Sequence, residues 1–128
     1  MELWKNLEKE VCSLVKGKTT PCSGRLRIKG DIRTDSLYIE CKHRSNKSGK
    51  VHSIPTDWLK TAELNTKKTK LIPLIAYQED RNGIPSKIYW YCRALDGHLF
   101  TQIPLELACH SSWVQISQES VRSFTEDV

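Results

Sequence analysis

With 128 residues, 38% of them hydrophobic and 27% charged, the chain has the composition of an ordinary globular protein with room for one core. No apolar run is long enough to span a bilayer, and Met1-Glu2-Leu3-Trp4-Lys5 lacks the charged-then-apolar pattern of a secretory leader; the expectation is one domain over residues 1–128, cytoplasmic and without a membrane partner. A net charge of +5 and a pI near 9.0 point to a polyanionic partner.

The first element is a helix over residues 3–16, where Trp4, Leu7, Val11, Leu14 and Val15 recur at helical spacing and Gly17 ends the run. Thr19 to Gly24 is loop chemistry, followed by two extended stretches, Arg25–Ile32 and Leu37–Lys42, joined by the polar turn Arg33-Thr34-Asp35-Ser36. His43 to Lys50 is a basic loop. Pro55-Thr56-Asp57 opens a second helix, capped by Thr56 and running from Trp58 to Lys68, with Trp58, Leu59, Ala62 and Leu64 to pack. Leu71 to Tyr77 is a continuous apolar run, as expected of a strand covered on both faces. A turn over Glu79–Pro85 contains Asn82-Gly83; an aromatic strand spans Lys87–Leu95; a last strand, Trp113–Ile116, precedes a short helix from about Ser117. This order of elements predicts an α/β layer structure with a mixed sheet.

Charge is unevenly distributed. Residues 1–70 hold 16 Lys and Arg against 8 Asp and Glu, whereas residues 71–128 hold 4 against 7. A merely solvated surface would not produce that asymmetry, and no basic amphipathic helix with a broad apolar face is evident, so nucleic acid is favoured over a membrane surface. The five cysteines, Cys12, Cys22, Cys41, Cys92 and Cys109, are odd in number and widely spaced, which fits reduced, packed thiols rather than a disulfide framework or a zinc site.

Side chains alternate faces along a strand. Leu37, Ile39 and Cys41 therefore point one way, into the core, and Tyr38, Glu40 and Lys42 point the other. Folding the preceding strand back, with a loop of either Thr34-Asp35 or all four turn residues, sets Ile32 opposite Leu37 and Asp31 opposite Tyr38. Asp31 then shares a face with Glu40 and Lys42 and is the diagonal neighbour of Glu40, roughly 7–8 Å away along the backbone. Two carboxylates beside an ammonium suit phosphodiester hydrolysis: hard oxygen ligands select Mg²⁺, with Mn²⁺ as a substitute, and the lysine can orient water or stabilise charge on phosphate. A bare Glu-x-Lys is also a common surface pair, so spacing alone does not separate the two readings.

The arrangement Asp31…Glu40-Cys41-Lys42 resembles the active-site signature of the PD-(D/E)xK nuclease superfamily. The approach Pro21-Cys22-Ser23-Gly24-Arg25…Lys29-Gly30-Asp31-Ile32 looks like that of phage-type and archaeal-type Holliday junction resolvases, as do Trp4-Lys5-x-Leu7-Glu8, the helix at Trp58 and the strand Ile72–Tyr77. Residues 4–80 carry the resemblance, Gly30 replaces the namesake proline, and the C-terminal third matches nothing specific. The resemblance implies a restriction-endonuclease-like core, a central mixed β-sheet flanked by helices. It implies Asp31, Glu40 and the Cys41 carbonyl as metal ligands, Lys42 as the catalytic lysine, and a first-helix glutamate completing the site, Glu8 by its Trp-x-x-x-Glu spacing or else Glu10. Ser23, Gly24 and Arg25 would contact the scissile strand, and Lys29, Arg33, Arg44, Lys47 and Lys50 would contact phosphates. The implied activity is resolution of four-way DNA junctions by paired nicks in recombination and repair, in a bacterial, archaeal or phage-infected cell. A homodimer would supply the two symmetric cuts, with Ile88–Tyr91 contributing to its interface. A general or restriction/repair-type nuclease, a catalytically inactive DNA-binding protein of the same fold and an accessory factor are the alternatives.

Overall fold

A computed structural model describes residues 3–15, 31–45, 54–100 and 113–126. Helix α1 spans Leu3–Leu14. Leu7, Val11 and Val15 recur every four residues, and all three are buried, the stripe expected of a helix lying on a sheet. Strand β1 (Asp31–Arg33) turns into β2 (Leu37–Ser45). The pairing is antiparallel, Asp31 opposite Glu40, Ile32 opposite Ile39 and Arg33 opposite Tyr38. This corrects the expected register by two residues. The reason is local: the Thr34 hydroxyl accepts the backbone N–H of Ser36 at 3.2 Å and of Leu37 at 2.9 Å, and the Thr34 N–H donates to the Leu37 carbonyl at 2.9 Å. The loop is thereby fixed at Asp35-Ser36. Because the shift is even, it leaves residue faces unchanged, and Asp31 becomes the direct rather than the diagonal partner of Glu40.

Helix α2 spans Thr56–Thr66, two residues ahead of the expected Trp58–Lys68. Its N-cap is Pro55, without a side-chain cap bond, rather than Thr56; a proline there presents no N–H and its extended backbone leads into the helix. Ala62 is fully buried while Leu64 is 69% exposed, so Leu64 does not pack as expected. Strand β3 (Ile72–Arg81) pairs in parallel with β2 from Leu37 opposite Ile72 to Ser45 opposite Asp80. Parallel neighbours require a crossover connection, and α2 lies within it. Both strands outrun their apolar cores: His43, Arg44 and Ser45, expected in a loop, belong to β2, and Gln78 to Arg81 belong to β3. Gln78, Glu79 and Asp80 are buried, so polar residues here are sheet interior and not turn.

Asn82 and Gly83 have φ of 53° and 83° and form the two-residue turn into β4 (Ile84–Pro85), the backbone that Asn-Gly adopts readily. Strand β5 (Tyr89–Arg93) pairs antiparallel with β3, and β6 (Trp113–Ile116) with β5. A 3₁₀ helix over Ala94–Leu99, where the strand was expected to continue to Leu95, and helix α3 (Gln118–Glu126) complete the described elements. The sheet order is β1-β2-β3-β5-β6, with β4 on β3. This is an α/β structure with a mixed sheet flanked by helices.

One face of the sheet carries Ile32, Leu37, Ile39, Cys41, Leu74, Ala76, Trp90, Cys92 and Ile116, which form one core with α1 and with Val121 of α3. Cys12, Cys41 and Cys92 are free thiols; burial pushes the Cys92 thiol up to about 12, which keeps it protonated and inert. Helix α2 covers the other face, tied down by Asn65 to Tyr38 and by the Trp113 indole donating to Glu63 at 2.8 Å. Among the described residues no helix is long and apolar enough to cross a membrane. Leu74 is fully buried at the centre of the core. Leu74→Ala should destabilise the fold by about 2–5 kcal/mol, read as a lowered denaturant midpoint at unchanged m-value.

Candidate functional site

The polar face of β2 opens toward α2. Glu40 is buried, 4% exposed, and its Oε1 accepts the Tyr38 hydroxyl at 3.3 Å. That hydroxyl in turn accepts the Asn65 side-chain amide of α2 at 2.9 Å. A chain from helix to tyrosine to carboxylate thus sets the orientation of Glu40, the way outer partners orient ligating groups. Asp31, described through its backbone, takes the register position directly opposite. Two residues beyond Glu40, half-buried Lys42 places its ammonium 5.4 Å from the centre of the Trp58 ring in the first turn of α2.

Glu8 is buried at 6% exposure, whereas Glu10 is exposed. Of the two first-helix glutamates, Glu8 is the one withdrawn from bulk water. It is carried by α1, which packs against the Ile39–Cys41 face of β2, while Glu40 belongs to the opposite face. The side chain of Cys41 is in the core, which leaves its backbone carbonyl as the group it could offer to a metal. Arg33 is exposed at the end of β1, its guanidinium 5.3 Å above the Tyr38 ring. Ser23, Gly24, Arg25, Lys29, Lys47 and Lys50 lie outside the described residues.

Alongside Lys42, Arg44 is held in place by contacts that the sequence reading did not foresee. Its Nε donates to the Tyr77 hydroxyl at 2.9 Å, and its guanidinium carbon lies 4.9 Å from the ring centres of both Trp58 and Tyr77. The Tyr77 hydroxyl donates to Glu79 in a short hydrogen bond. Burial, with the Glu79 bond adding to it, pushes the Tyr77 hydroxyl up to about 12, so it remains a donor at any ordinary pH. Each cation–π contact contributes about 0.5–1 kcal/mol when exposed and more when desolvated. The signal in the sequence was the spacing Tyr77-x-Glu79, which repeats Tyr38-x-Glu40; it became legible only once β3 lay beside β2.

A separate polar knot sits at the far end of the same two strands. Asp80 accepts the Ser45 hydroxyl at 2.8 Å and the Gly83 N–H at 3.0 Å, and lies 3.3 Å from His43 Nε2. The Ser45 bond foremost, then the Gly83 bond and the proximity of His43, hold its carboxyl below the ordinary aspartate value. His98 is exposed and bonds the Leu95 carbonyl at 3.1 Å.

Whether a divalent cation fits is a question of donor chemistry. Among the described side chains no group of three His, Cys, Asp or Glu is close enough to hold one. The pair at the Asp31–Glu40 register position offers hard oxygens, and Mg²⁺ is commonly held by one or two carboxylates with waters and substrate phosphate completing its shell. The donor set fits. No family model, curated protein or solved structure significantly matches this chain.

The depressed Asp80 carboxyl makes a prediction about acid. A carboxyl with a lowered folded-state pKa stabilises the fold fully above its unfolded value, about 3.9, and loses that contribution as pH falls through the folded one. The melting-temperature gap between the wild type and Asp80→Asn should hold from pH 7 to about 5 and narrow below about 4; a gap constant down to pH 2 would show that Asp80 titrates normally.

Proposed function

We propose that the protein is a metal-dependent, structure-selective DNA endonuclease, most concretely a Holliday junction resolvase acting as a homodimer. The observation that carries the reading is the direct pairing of Asp31 with Glu40, with Lys42 two residues on along the same polar face of β2 and Glu40 buried and oriented through Tyr38. The element order supports it: a helix, a hairpin, a crossover helix and a strand parallel to the hairpin's second strand are the parts of a restriction-endonuclease-like core.

In this reading Asp31, Glu40 and the Cys41 carbonyl would hold Mg²⁺ or Mn²⁺. The bound ion supplies Lewis-acid polarisation of the phosphoryl oxygen and a water of lowered pKa. Tyr38 and Asn65 keep Glu40 from turning away. Lys42 carries a fixed positive charge to the phosphate, stabilising the charge that builds as the bond to the leaving oxygen breaks. Ser23, Gly24 and Arg25 contact the scissile strand, and Lys29, Arg33, Lys47 and Lys50 hold the flanking backbone. These contacts position DNA without reading its sequence. The strong positive balance of residues 1–70 supplies the field that draws a polyanion to this half of the chain. Two copies related by a twofold axis give paired nicks in a four-way junction.

The deciding measurement offers a four-way junction, a nicked duplex, a linear duplex and a single strand in Mg²⁺ or Mn²⁺. Symmetric paired cuts in the junction are expected. Equal cutting of linear duplex would instead indicate a general or restriction-like nuclease, and binding without cutting in either metal a DNA-binding protein that has lost catalysis. Glu40→Ala should lower the cleavage rate by about 10²–10³ with junction affinity nearly unchanged, and Lys42→Ala should lower the rate comparably while also weakening junction binding.

A further inference from the structure

Helix α2 ends in a run of lysines that the hydrolytic site does not use. Lys67 follows the helix directly, and Lys68 and Lys70 stand in the turn that leads into β3. All three are exposed, as is Lys60 two turns earlier on α2. Among the described residues none of these four lysines is paired with a carboxylate. Beside them an open groove of about 550 Å³ is lined by three cations, Lys60, Lys67 and Arg93, against one carboxylate, Glu63. Glu63 accepts the Trp113 indole, and Arg93 is bonded to Asp96.

We infer that Lys67, Lys68 and Lys70, with Lys60 beside them on α2, form a second contact surface for the sugar-phosphate backbone of a duplex arm leading away from Glu40. The inference rests on the reading of the Glu40 face as a DNA-cleaving face and adds to it the surface that holds the flanking duplex.

Placement, rigidity and charge lead there. The parallel register sets Leu37 beside Ile72, and the Ile72 N–H donates to the Ser36 carbonyl at 2.9 Å. The lysine turn therefore abuts the β1–β2 turn, and Leu37 lies about 10 Å from Glu40 at the rise of an extended strand. Exposed Arg33, opposite Tyr38, stands between. Lys42 lies on the other side of Glu40 along β2. A nucleic-acid strand that follows β2 past Glu40 thus meets positive charge on both sides of the carboxylate, and the lysine turn is where it leaves the sheet. That turn is fixed by its own bonds: the Thr69 N–H and hydroxyl both donate to the Thr66 carbonyl at 2.9 Å, and the Leu71 N–H donates to the Thr69 hydroxyl at 3.1 Å. A backbone already ordered lowers the cost of binding. Lysine is a point charge on a flexible stem, suited to phosphates of any sequence. A cation at the end of a helix also offsets the negative end of its dipole, an effect that fades beyond the last turn; it accounts for Lys67 and leaves Lys68 and Lys70 unexplained.

The test is binding of a fluorescent four-way junction by the full chain in Ca²⁺, across a series of salt concentrations, with melting temperature measured for every variant. Lys68→Gln/Lys70→Gln should weaken binding about tenfold at 0.1 M salt and reduce the slope of log K against log salt by about two, the signature of two lost phosphate contacts. Lys67→Gln should reduce it by about one. The control removes two charges from the helices of the opposite sheet face, Lys9→Gln/Arg122→Gln, and should change the slope by less than about 0.5. A slope unchanged in Lys68→Gln/Lys70→Gln, or reduced no more than in the control, overturns the surface and leaves the lysines as solvated charge. A wild type that binds with the expected slopes but never cuts in Mg²⁺ or Mn²⁺ sinks the nuclease reading and leaves the contact surface standing; a wild type with no affinity for DNA sinks both.

Discussion

The parallel pairing of β2 with β3 is the constraint on which the rest depends. The Arg44 contacts on the α2 face follow from that register, because it sets Lys42 beside Tyr77 and Arg44 beside Glu79. The pairing needs a crossover, the crossover contains α2, and the first turn of α2 then places Trp58 over the two cations. A parallel pair is stabilised by burial on both faces, and β3 meets that condition over nearly its whole length. The same burial obliges the polar residues at its C-terminal end to be satisfied from within the sheet.

They are satisfied by a repeated device. Tyr38 bonds Glu40, and Tyr77 bonds Glu79, each two residues along one strand and on one face. Each tyrosine hydroxyl also accepts a further donor, Asn65 for Tyr38 and Arg44 for Tyr77. The phenol suits this role because it both donates and accepts, and its ring covers apolar neighbours while its tip reaches a charge. The two strands thereby present one carboxylate oriented from α2 and one that braces a cation. These are different uses of the same local geometry, separated by a single strand spacing. On the opposite face, α1 and α3 pack against a hydrophobic core, with the Trp90 indole also donating to Gln118 of α3 at 3.2 Å.

The polar knot at Asp80 has another office. It closes the end of β2 against β3 and the Asn82-Gly83 turn through Ser45 and the Gly83 N–H. Asp80, three residues before a glycine at positive φ, accepts that glycine's N–H through its own side chain. Here the carboxylate also reaches across to the neighbouring strand. Strand end and turn are thus one unit, which extends β3 well past the apolar run that announced it.

The sequence by itself determined which residues share a face. Period-two alternation put Glu40 and Lys42 opposite Leu37, Ile39 and Cys41, and the helical stripe of Leu7, Val11 and Val15 named the buried side of α1. Strand Trp113–Ile116 was readable to the residue, and the mixed α/β class followed from the order of elements. Such features depend on backbone periodicity, which is local. The register of β1 on β2 was set by a local contact that periodicity does not encode, a threonine hydroxyl that chose one loop over another. Tertiary structure alone decided the length of β2 and β3, whose polar ends look like loop until each strand has the other to pair with. It alone withdrew Glu8 from water and left Glu10 in it. It also brought Trp58, Arg44, Tyr77 and Glu79 together from a helix and two strands, because their contacts are distant in the chain and no local period encodes them.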